Sequence, residues 1–179
     1  MELEEKKINS LLKFDGKMIK LYLDEVKLPN DHNSHREVVR HPGAAAIIAI
    51  NREGFIVVEK QYRYPVNEIL WEIPAGKLDK DEEPLTCAKR EFEEETGFVA
   101  KNWKMLGYIY TTPGFSDEKI HLFFASGLEK GDVNPDEDEF VEIKFLSKSE
   151  MERMILKNEI VDSKTIAAFF RAREKGLLN

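Results

Sequence analysis

Alternating apolar and polar residues predict a series of β-strands along the chain. Residues 18–28 alternate in this way, and residues 35–40 form a candidate return strand after the turn signal Leu28-Pro29-Asn30-Asp31. Residues 44–50 are continuously apolar, which favours a strand buried on both faces. The same reasoning predicts strands at 55–63, 69–73, 103–111, 119–125 and 140–146.

Helical patterns occupy one internal segment and the end of the chain. The internal helix is predicted over 85–96, with Pro84 at its first position and Gly97 just past its last turn. Two closing helices are expected at 148–158 and from Asp162, a plausible N-cap. Strands and helices are interspersed without a strict βαβ rhythm, so the expected class is α/β with a mixed sheet between helices. A break at 41–43 separates a small β-rich, hairpin-like piece (1–40) from the main domain (41–179).

Composition narrows the function classes. The formal net charge of −7 argues against nonspecific binding to nucleic acid or to an anionic membrane. A single cysteine excludes an internal disulfide and favours a reducing compartment. No apolar run is long enough for a membrane span, and the charged first ten residues are unlike a signal peptide. The expectation is a soluble cytoplasmic protein.

An unusual cluster of glutamates ends the internal helix. Glu91 and Glu95 lie about 40° apart around the helix axis, and both lie near the apolar stripe that contains Ala88. A solvated acidic helix would place its glutamates opposite that stripe, and only Glu93 does so cleanly. Carboxylates forced together beside a core need a cationic partner. A hard divalent metal, magnesium above all, is the natural candidate, although spacing alone leaves a solvated helix equally open.

The same segment resembles the sequence signature of the Nudix hydrolase family. That signature is Gly, five residues, Glu, seven residues, then Arg-Glu-apolar-x-Glu-Glu-x-Gly-apolar. Every specified position is matched, by Gly76, Glu82, Arg90, Glu91, Phe92, Glu94, Glu95, Gly97 and Phe98. Three further stretches, EKQYRYPV (59–66), WEIPAGKL (71–78) and TTPGFSDE (111–118), resemble the ADP-ribose pyrophosphatase branch, as does Pro113, sixteen residues past Gly97.

The resemblance implies a Nudix-type α/β/α sandwich and hydrolysis of a nucleoside diphosphate derivative. It also implies a metal site in which Mg²⁺, with Mn²⁺ as a possible substitute, neutralises the substrate and positions water. The implied metal ligands are Glu91, Glu95 and the Ala75 carbonyl, with Glu94 as a ligand or an outer hydrogen-bonding group. Arg90 would orient a carboxylate of the cluster, although a simple surface pair with Glu94 is the alternative.

The general base is expected in the acidic stretch NPDEDE (134–139). Alignment with related ADP-ribose pyrophosphatases implies that Glu137 is the base and Glu139 an additional metal ligand with a part in catalysis. A polar connector is the alternative interpretation of this stretch.

Substrate contacts are implied for four further residues: Arg36, Arg63, Glu72 and Glu118. Guanidinium groups suit phosphate, and a carboxylate suits ribose hydroxyls. Tyr22 and Phe14 are open candidates for stacking on adenine. Related enzymes are homodimers in which the N-terminal piece completes the partner's substrate site, so a homodimer is expected, with Arg36 contributing across the interface.

The leading hypothesis is Mg²⁺-dependent hydrolysis of ADP-ribose to AMP and ribose 5-phosphate. A Nudix enzyme acting on a nucleotide sugar or a dinucleotide is the second hypothesis. A non-catalytic ADP-ribose sensor is the third, and the intact signature counts against it.

Overall fold

The computed structural model of the protein describes residues 2–131 and 140–178. Within these ranges the chain forms ten strands and three helices. The strands are β1 (Lys6–Asp15), β2 (Lys20–Lys27), β3 (Asn33–Arg40), β4 (Ala44–Ile50), β5 (Ile56–Arg63), β6 (Glu68–Glu72), β7 (Ala75–Lys77), β8 (Phe98–Tyr110), β9 (Lys119–Lys130) and β10 (Val141–Leu146). The helices are α1 (Pro84–Thr96), α2 (Lys148–Leu156) and α3 (Ser163–Glu174). No helix in these ranges is long and apolar enough to span a membrane.

The chain divides into two compact units. The first contains the residues up to Gly43 together with Tyr110–Lys119. Its sheet has the order β1-β2-β3, and both pairs are antiparallel. The predicted hairpin is β2–β3, closed by a hydrogen bond of 2.8 Å from the Leu28 N–H to the His32 carbonyl. Backbone bonds between Val39 and both Phe115 and Asp117 attach the 110–119 segment to β3.

Strand β1 was not predicted from the sequence. Its pairing with β2 shifts register twice, between Lys7 and Asn9 and between Leu12 and Phe14. Each shift inserts one extra residue and breaks the two-residue alternation that identifies a strand. All ten residues of β1 are exposed. The strand therefore has no buried face that would require an alternation of apolar and polar residues.

The second unit contains Ala44–Ile109 and the chain from Ile120 onward. Among the described residues its sheet has seven strands in the order β10-β5-β4-β9-β8, with β6 paired to β5 and β7 paired to β4. Strand β4 is parallel to β9 and antiparallel to β5. The expected mixed sheet is therefore confirmed.

Both faces of the central strand β4 are buried, as its continuous apolar sequence predicts. Ala46 and Ile48 pack into a cluster with residues of α2 and α3, including Met151 and Phe169. Their neighbours in β4 face a second cluster that contains Phe92 of α1. Helices thus cover the two faces of one sheet, and the predicted α/β/α sandwich is confirmed.

Helix ends follow the sequence signals, whereas several strand bounds do not. Pro84 begins α1, and Gly97 ends it at φ 69°, with its N–H bonded to the Glu93 carbonyl at 2.8 Å. The Asp162 side chain caps α3. Residues 75–77, where no strand was predicted, form β7. Strand β8 begins five residues before the predicted 103, and β9 continues five residues past the predicted 125.

Candidate active site

The glutamate-rich end of α1 lies against β7. Strand β7 is fixed by antiparallel pairing to β4, in which Ala75 lies opposite Ala46. The Ala75 N–H donates a hydrogen bond of 3.1 Å to Glu95 Oε2. Glu95 is only 4% exposed, so this carboxylate is anchored at the edge of the core. Burial of a carboxylate is costly without such partners.

The Glu91 carboxylate lies directly over Gly76. A Cβ atom placed on Gly76 would lie 1.8 Å from Glu91 Cδ and 2.2 Å from both carboxylate oxygens. Only glycine therefore allows this close approach of side chain to backbone. Glu91 and Glu95 thus reach two adjacent residues, Ala75 and Gly76, from successive turns of one helix.

Arg90 connects three carboxylates. Its Nε and Nη2 donate to the two oxygens of Glu82 at 3.1 and 3.0 Å, and its Nη1 donates to Glu91 at 2.9 Å and to Glu94 at 3.0 Å. These bonds, foremost those to Glu82, raise the pKa of Arg90 above its ordinary value. Glu82 in turn accepts the Asp79 N–H at 2.9 Å, which holds the loop before α1. Arg90 therefore does more than form a surface pair with Glu94.

The oxygen atoms at this site are of the type that binds a hard divalent cation. Glu91, Glu94, Glu95 and the Ala75 carbonyl all offer oxygen, the ligand atom that Mg²⁺ and related ions prefer. The space left by the missing Gly76 Cβ brings one of these carboxylates against the β7 backbone. Within the described ranges, however, no three acidic, histidine or cysteine side chains converge into a preformed metal site. Arg90 forms ion pairs with two of these carboxylates, Glu91 at 2.9 Å and Glu94 at 3.0 Å.

Comparison with known proteins identifies the architecture around this site. The family model of the NUDIX domain matches residues 39–169. The chain belongs to the Nudix hydrolase family. The resemblance inferred from the motif is therefore confirmed, and the chain is expected to share the family's requirement for a divalent metal.

Two bacterial relatives match nearly the whole chain. The ADP-ribose pyrophosphatase of Bacillus subtilis (strain 168) is 46% identical over 170 residues, which cover 93% of this chain and 91% of that protein. The methanol dehydrogenase activator of Bacillus methanolicus is 48% identical over 167 residues, 92% of this chain and 90% of that protein. A crystal structure of an ADP compounds hydrolase superposes with a TM-score of 0.86 at 18% identity, covering 98% of this chain and 97% of that one. That structural likeness supports the fold.

Cys87 lies within the Nudix signature, but its environment does not suit a catalytic role. It is fully buried, and its thiol donates to the Lys77 carbonyl at 3.3 Å. Burial, followed by the nearby Glu82 and Glu91 carboxylates, raises the pKa of the thiol to about 12. The thiol is therefore protonated at neutral pH, and Cys87 fills space in the core rather than acting as a nucleophile.

Arg63 and Glu72, both predicted to contact substrate, form a forked ion pair across strands β5 and β6. Arg63 Nε and Nη2 donate to the two Glu72 oxygens at 2.7 and 2.8 Å. The Glu72 side chain is 1% exposed and that of Arg63 is 38% exposed. Burial alone raises the pKa of Glu72, but the hydrogen bonds and charges of Arg63 and Lys164 outweigh it and hold the pKa below its ordinary value.

Sequence reasoning missed the other half of this ion cluster. Lys164 Nζ, in the first turn of α3, donates to Glu72 Oε2 and lies 3.2 Å from Asp162 Oδ2. The side chain of Lys164 is 8% exposed. Asp162 was recognised only as a helix cap. The one available signal was the segment Asp162-Ser163-Lys164-Thr165, in which a lysine closely follows the predicted helix cap.

Arg36 and Glu118 belong to the first unit. Arg36, in β3, forms a forked ion pair with Glu5 at 2.9 and 2.5 Å. Glu118 accepts a hydrogen bond of 2.5 Å from the Thr111 hydroxyl, and one of its oxygens lies 3.7 Å from His41 Nδ1. Both side chains thus have partners within their own unit, and their substrate contacts stay predictions.

Glu137 and Glu139, the predicted base and additional ligand, lie outside the described residues. Their roles stay predictions from the family alignment.

Proposed function

We propose that this Nudix hydrolase cleaves ADP-ribose to AMP and ribose 5-phosphate with Mg²⁺, or with Mn²⁺ in its place. The observation that carries the proposal is the 46% identity, over more than nine-tenths of both chains, to the ADP-ribose pyrophosphatase of Bacillus subtilis (strain 168). The site supports the proposal, since its carboxylates suit a divalent metal and the partly exposed Arg63 suits a diphosphate bound to that metal.

In the proposed reaction a water oxygen bonds to one phosphorus of the diphosphate while the bond from that phosphorus to the bridging oxygen breaks. The bound cation would neutralise the diphosphate and lower the pKa of the attacking water. Glu91, Glu95 and the Ala75 carbonyl would hold the cation, with Glu94 as a further ligand or outer group. Arg90 would keep Glu91 and Glu94 oriented, because it already binds both.

The remaining assigned roles concern proton transfer and substrate binding. Glu137 would accept the proton of the attacking water, and Glu139 would add a metal ligand. Arg63 would contact a phosphate or the terminal ribose. Glu72 would orient Arg63 or contact the substrate, and Glu118 would accept hydrogen bonds from ribose hydroxyls.

A substrate panel tests this proposal. The chain is incubated with ADP-ribose, GDP-mannose, NAD and diadenosine diphosphate, with and without Mg²⁺, and the products are separated by chromatography. The proposal expects AMP and ribose 5-phosphate from ADP-ribose at the highest kcat/KM of the panel, and no turnover after chelation of the metal. Preferential cleavage of a nucleotide sugar or a dinucleotide would replace ADP-ribose as the substrate.

A second candidate function is activation of a methanol dehydrogenase, favoured by the 48% identity to the Bacillus methanolicus activator. Its test is the rate of methanol oxidation by purified methanol dehydrogenase with and without this chain. An unchanged rate at saturating concentrations of the chain would dismiss this candidate.

We further propose that the enzyme works as a homodimer in the cytoplasm. Strand β1 is the outer strand of its sheet, and it exposes Ile8, Leu11, Leu12 and Phe14 by 42–56% each. An edge with apolar side chains pairs readily with another chain. A second copy is the proposed cover, and Arg36 of β3 is the residue proposed to reach the partner's substrate.

Light scattering tests this assembly, with an expected mass of twice 20.8 kDa. Leu11→Lys should shift the mass towards the monomer, since it places a charge in the proposed interface. Leu156→Lys is the matched control, because Leu156 is 72% exposed and lies on α2. A fully active monomer of 20.8 kDa would overturn the dimer.

A further inference from the structure

The first turn of α3 holds the end of strand β6 at two adjacent residues. Lys164 binds the Glu72 side chain, as described above. Next to it, the Thr165 hydroxyl accepts the Ile73 N–H at 2.9 Å. Glu72 and Ile73 are separated by 92 residues of sequence from the residues that hold them. Both contacts are buried, so water does not compete with them.

Asp162 makes these two contacts a single unit. Its Oδ2 accepts the Thr165 N–H at 2.9 Å and the Thr165 hydroxyl at 2.6 Å, and it lies 3.2 Å from Lys164 Nζ. Because the Thr165 hydroxyl donates to Asp162, its lone pairs are left to accept the Ile73 N–H. The helix cap therefore fixes the orientation of both the hydroxyl and the ammonium.

Residues 72 and 73 connect to two parts of the candidate active site, the Arg63 guanidinium and the Ala75 carbonyl. Glu72 holds Arg63 through Nε and Nη2, which leaves Nη1 without a hydrogen bond to any described residue. Ile73 is followed by Pro74, whose carbonyl accepts the Ile47 N–H at 2.8 Å, and then by Ala75. A displacement of residues 72 and 73 would thus shift the guanidinium on one side and the Ala75 carbonyl on the other.

A purely stabilising role does not explain this choice of side chains. A buried ammonium beside a buried carboxylate is expensive to desolvate, and apolar residues of similar size often stabilise a protein as well or better. The ion pair instead fixes an orientation, because the Glu72 carboxylate is held by both the Arg63 guanidinium and the Lys164 ammonium.

We propose that Lys164 and Thr165 are positioning residues of the diphosphate site, Lys164 acting through Glu72 on Arg63 and Thr165 acting through the Ile73 backbone on Ala75. The inference rests on the proposed function, since it assigns Arg63 to the substrate and the Ala75 carbonyl to the metal. It predicts separable effects, one on substrate binding and one on metal dependence.

Lys164→Met tests the first arm, because it removes the ammonium and keeps the linear stem. The expected result is a rise of about 10-fold or more in KM for ADP-ribose, a smaller change in kcat and an unchanged Mg²⁺ half-saturation. Lys175→Met is the matched control, since Lys175 is exposed at the other end of α3, and its KM should equal that of the wild type.

The coupling of Lys164 to Arg63 separates positioning from stability. In an Arg63→Ala background, Lys164→Met should raise KM by less than twofold, since the residue through which it acts is gone. An equal rise in both backgrounds, or no rise in either, would overturn the first arm. A loss of thermal stability alone, with KM unchanged, would also overturn it.

Thr165→Val tests the second arm and does not depend on Lys164→Met folding. It should raise the Mg²⁺ concentration for half-maximal rate by about 10-fold, and Thr165→Ser should restore it because serine keeps the hydroxyl. Equal Mg²⁺ dependence of the valine and serine variants would overturn this arm.

The outcome for these variants can be separated from the outcome for the proposed function. If the wild type prefers another diphosphate, only the proposed substrate is wrong, and the variants are measured on that diphosphate. If the wild type cleaves none, the proposed function fails, and calorimetric affinities for ADP-ribose and Mg²⁺ decide each arm by the same fold-changes.

Discussion

Gly76→Ala is the sharpest perturbation that the site offers. The new Cβ would lie 1.8 Å from Glu91 Cδ, whereas ordinary contacts begin at 3.4 Å, so the carboxylate would have to move by about 1.6 Å. Glu91 cannot withdraw freely, because its side chain is 12% exposed and Arg90 holds it at 2.9 Å. A misplacement of about 1 Å in a reacting constellation can cost about 10²-fold in rate. We therefore expect kcat/KM to fall by about 10²-fold, or about 2.7 kcal/mol of transition-state stabilisation.

The assay follows AMP release from ADP-ribose over a Mg²⁺ titration. Gly76→Ala should also need more Mg²⁺ for half-maximal rate, since Glu91 is a proposed ligand. Gly114→Ala is the matched control, because a Cβ there meets no atom within 4 Å and its backbone does not need a positive φ. The control should keep its Mg²⁺ half-saturation. Near-native activity and Mg²⁺ dependence of Gly76→Ala would refute the reasoning.

A double-mutant cycle shows whether the glycine acts through Glu91. In a Glu91→Ala background the carboxylate is absent, so Gly76→Ala should cost little further activity. If the two losses simply add, Gly76 matters for some other reason, such as the pairing of β7 with β4.

The remaining predictions concern single groups. Glu95→Gln should keep the fold and lose most activity, since it removes an anionic ligand without changing shape; unchanged Mg²⁺-dependent turnover would contradict that role. Glu137→Gln should lower kcat far more than substrate affinity, as expected for a base, and the same pattern in Glu139→Gln instead would shift the base by two residues. Because the pKa of Glu72 is lowered in the fold, its ionised form contributes stability that is present above about pH 4.3 and lost as the pH falls through the folded-state pKa, so Glu72→Gln should flatten the acid-side decline of Tm measured by circular dichroism. Cys87 should resist iodoacetamide at pH 8 in the folded protein and react in urea, and rapid native labelling would contradict its burial.

Much of the fold was predictable because local signals and burial agree. Strand β4 has a continuous apolar sequence and is buried on both faces, and its predicted bounds match the structure. Helix α1 carries its own start and stop signals, Pro84 and Gly97, which depend on backbone chemistry within one turn. The candidate metal carboxylates were inferred for a different reason, since the fixed spacing within their 23-residue segment identified the family.

The parts that could not be predicted depend on distant partners. Strand β7 has only three residues, and pairing with β4 defines it more than its own composition does. The contact of Lys164 with Glu72 joins residues 92 positions apart, and no local pattern reports such a pair. The contacts of Arg90 with three carboxylates were predictable only in part. Helical spacing indicates the contact with Glu94, but not the contact with Glu82, which reaches Arg90 from the loop before the helix.

Arg90 and the proposed divalent cation would have complementary roles in this site. Carboxylates outnumber the guanidinium four to one in the group Glu82, Glu91, Glu94 and Glu95, so Arg90 alone leaves an excess of negative charge. That excess would repel a diphosphate, and the net charge of −7 would add to the repulsion. A hard cation held by these carboxylates would reverse the sign of the local charge and would offer the substrate oxygens a positive centre. Arg90 donates hydrogen bonds to Glu91 at 2.9 Å and to Glu94 at 3.0 Å, and this orientation would reduce the ordering that cation binding requires. An acidic enzyme can in this way bind an acidic substrate, and affinity for the diphosphate should depend steeply on the occupancy of the metal site.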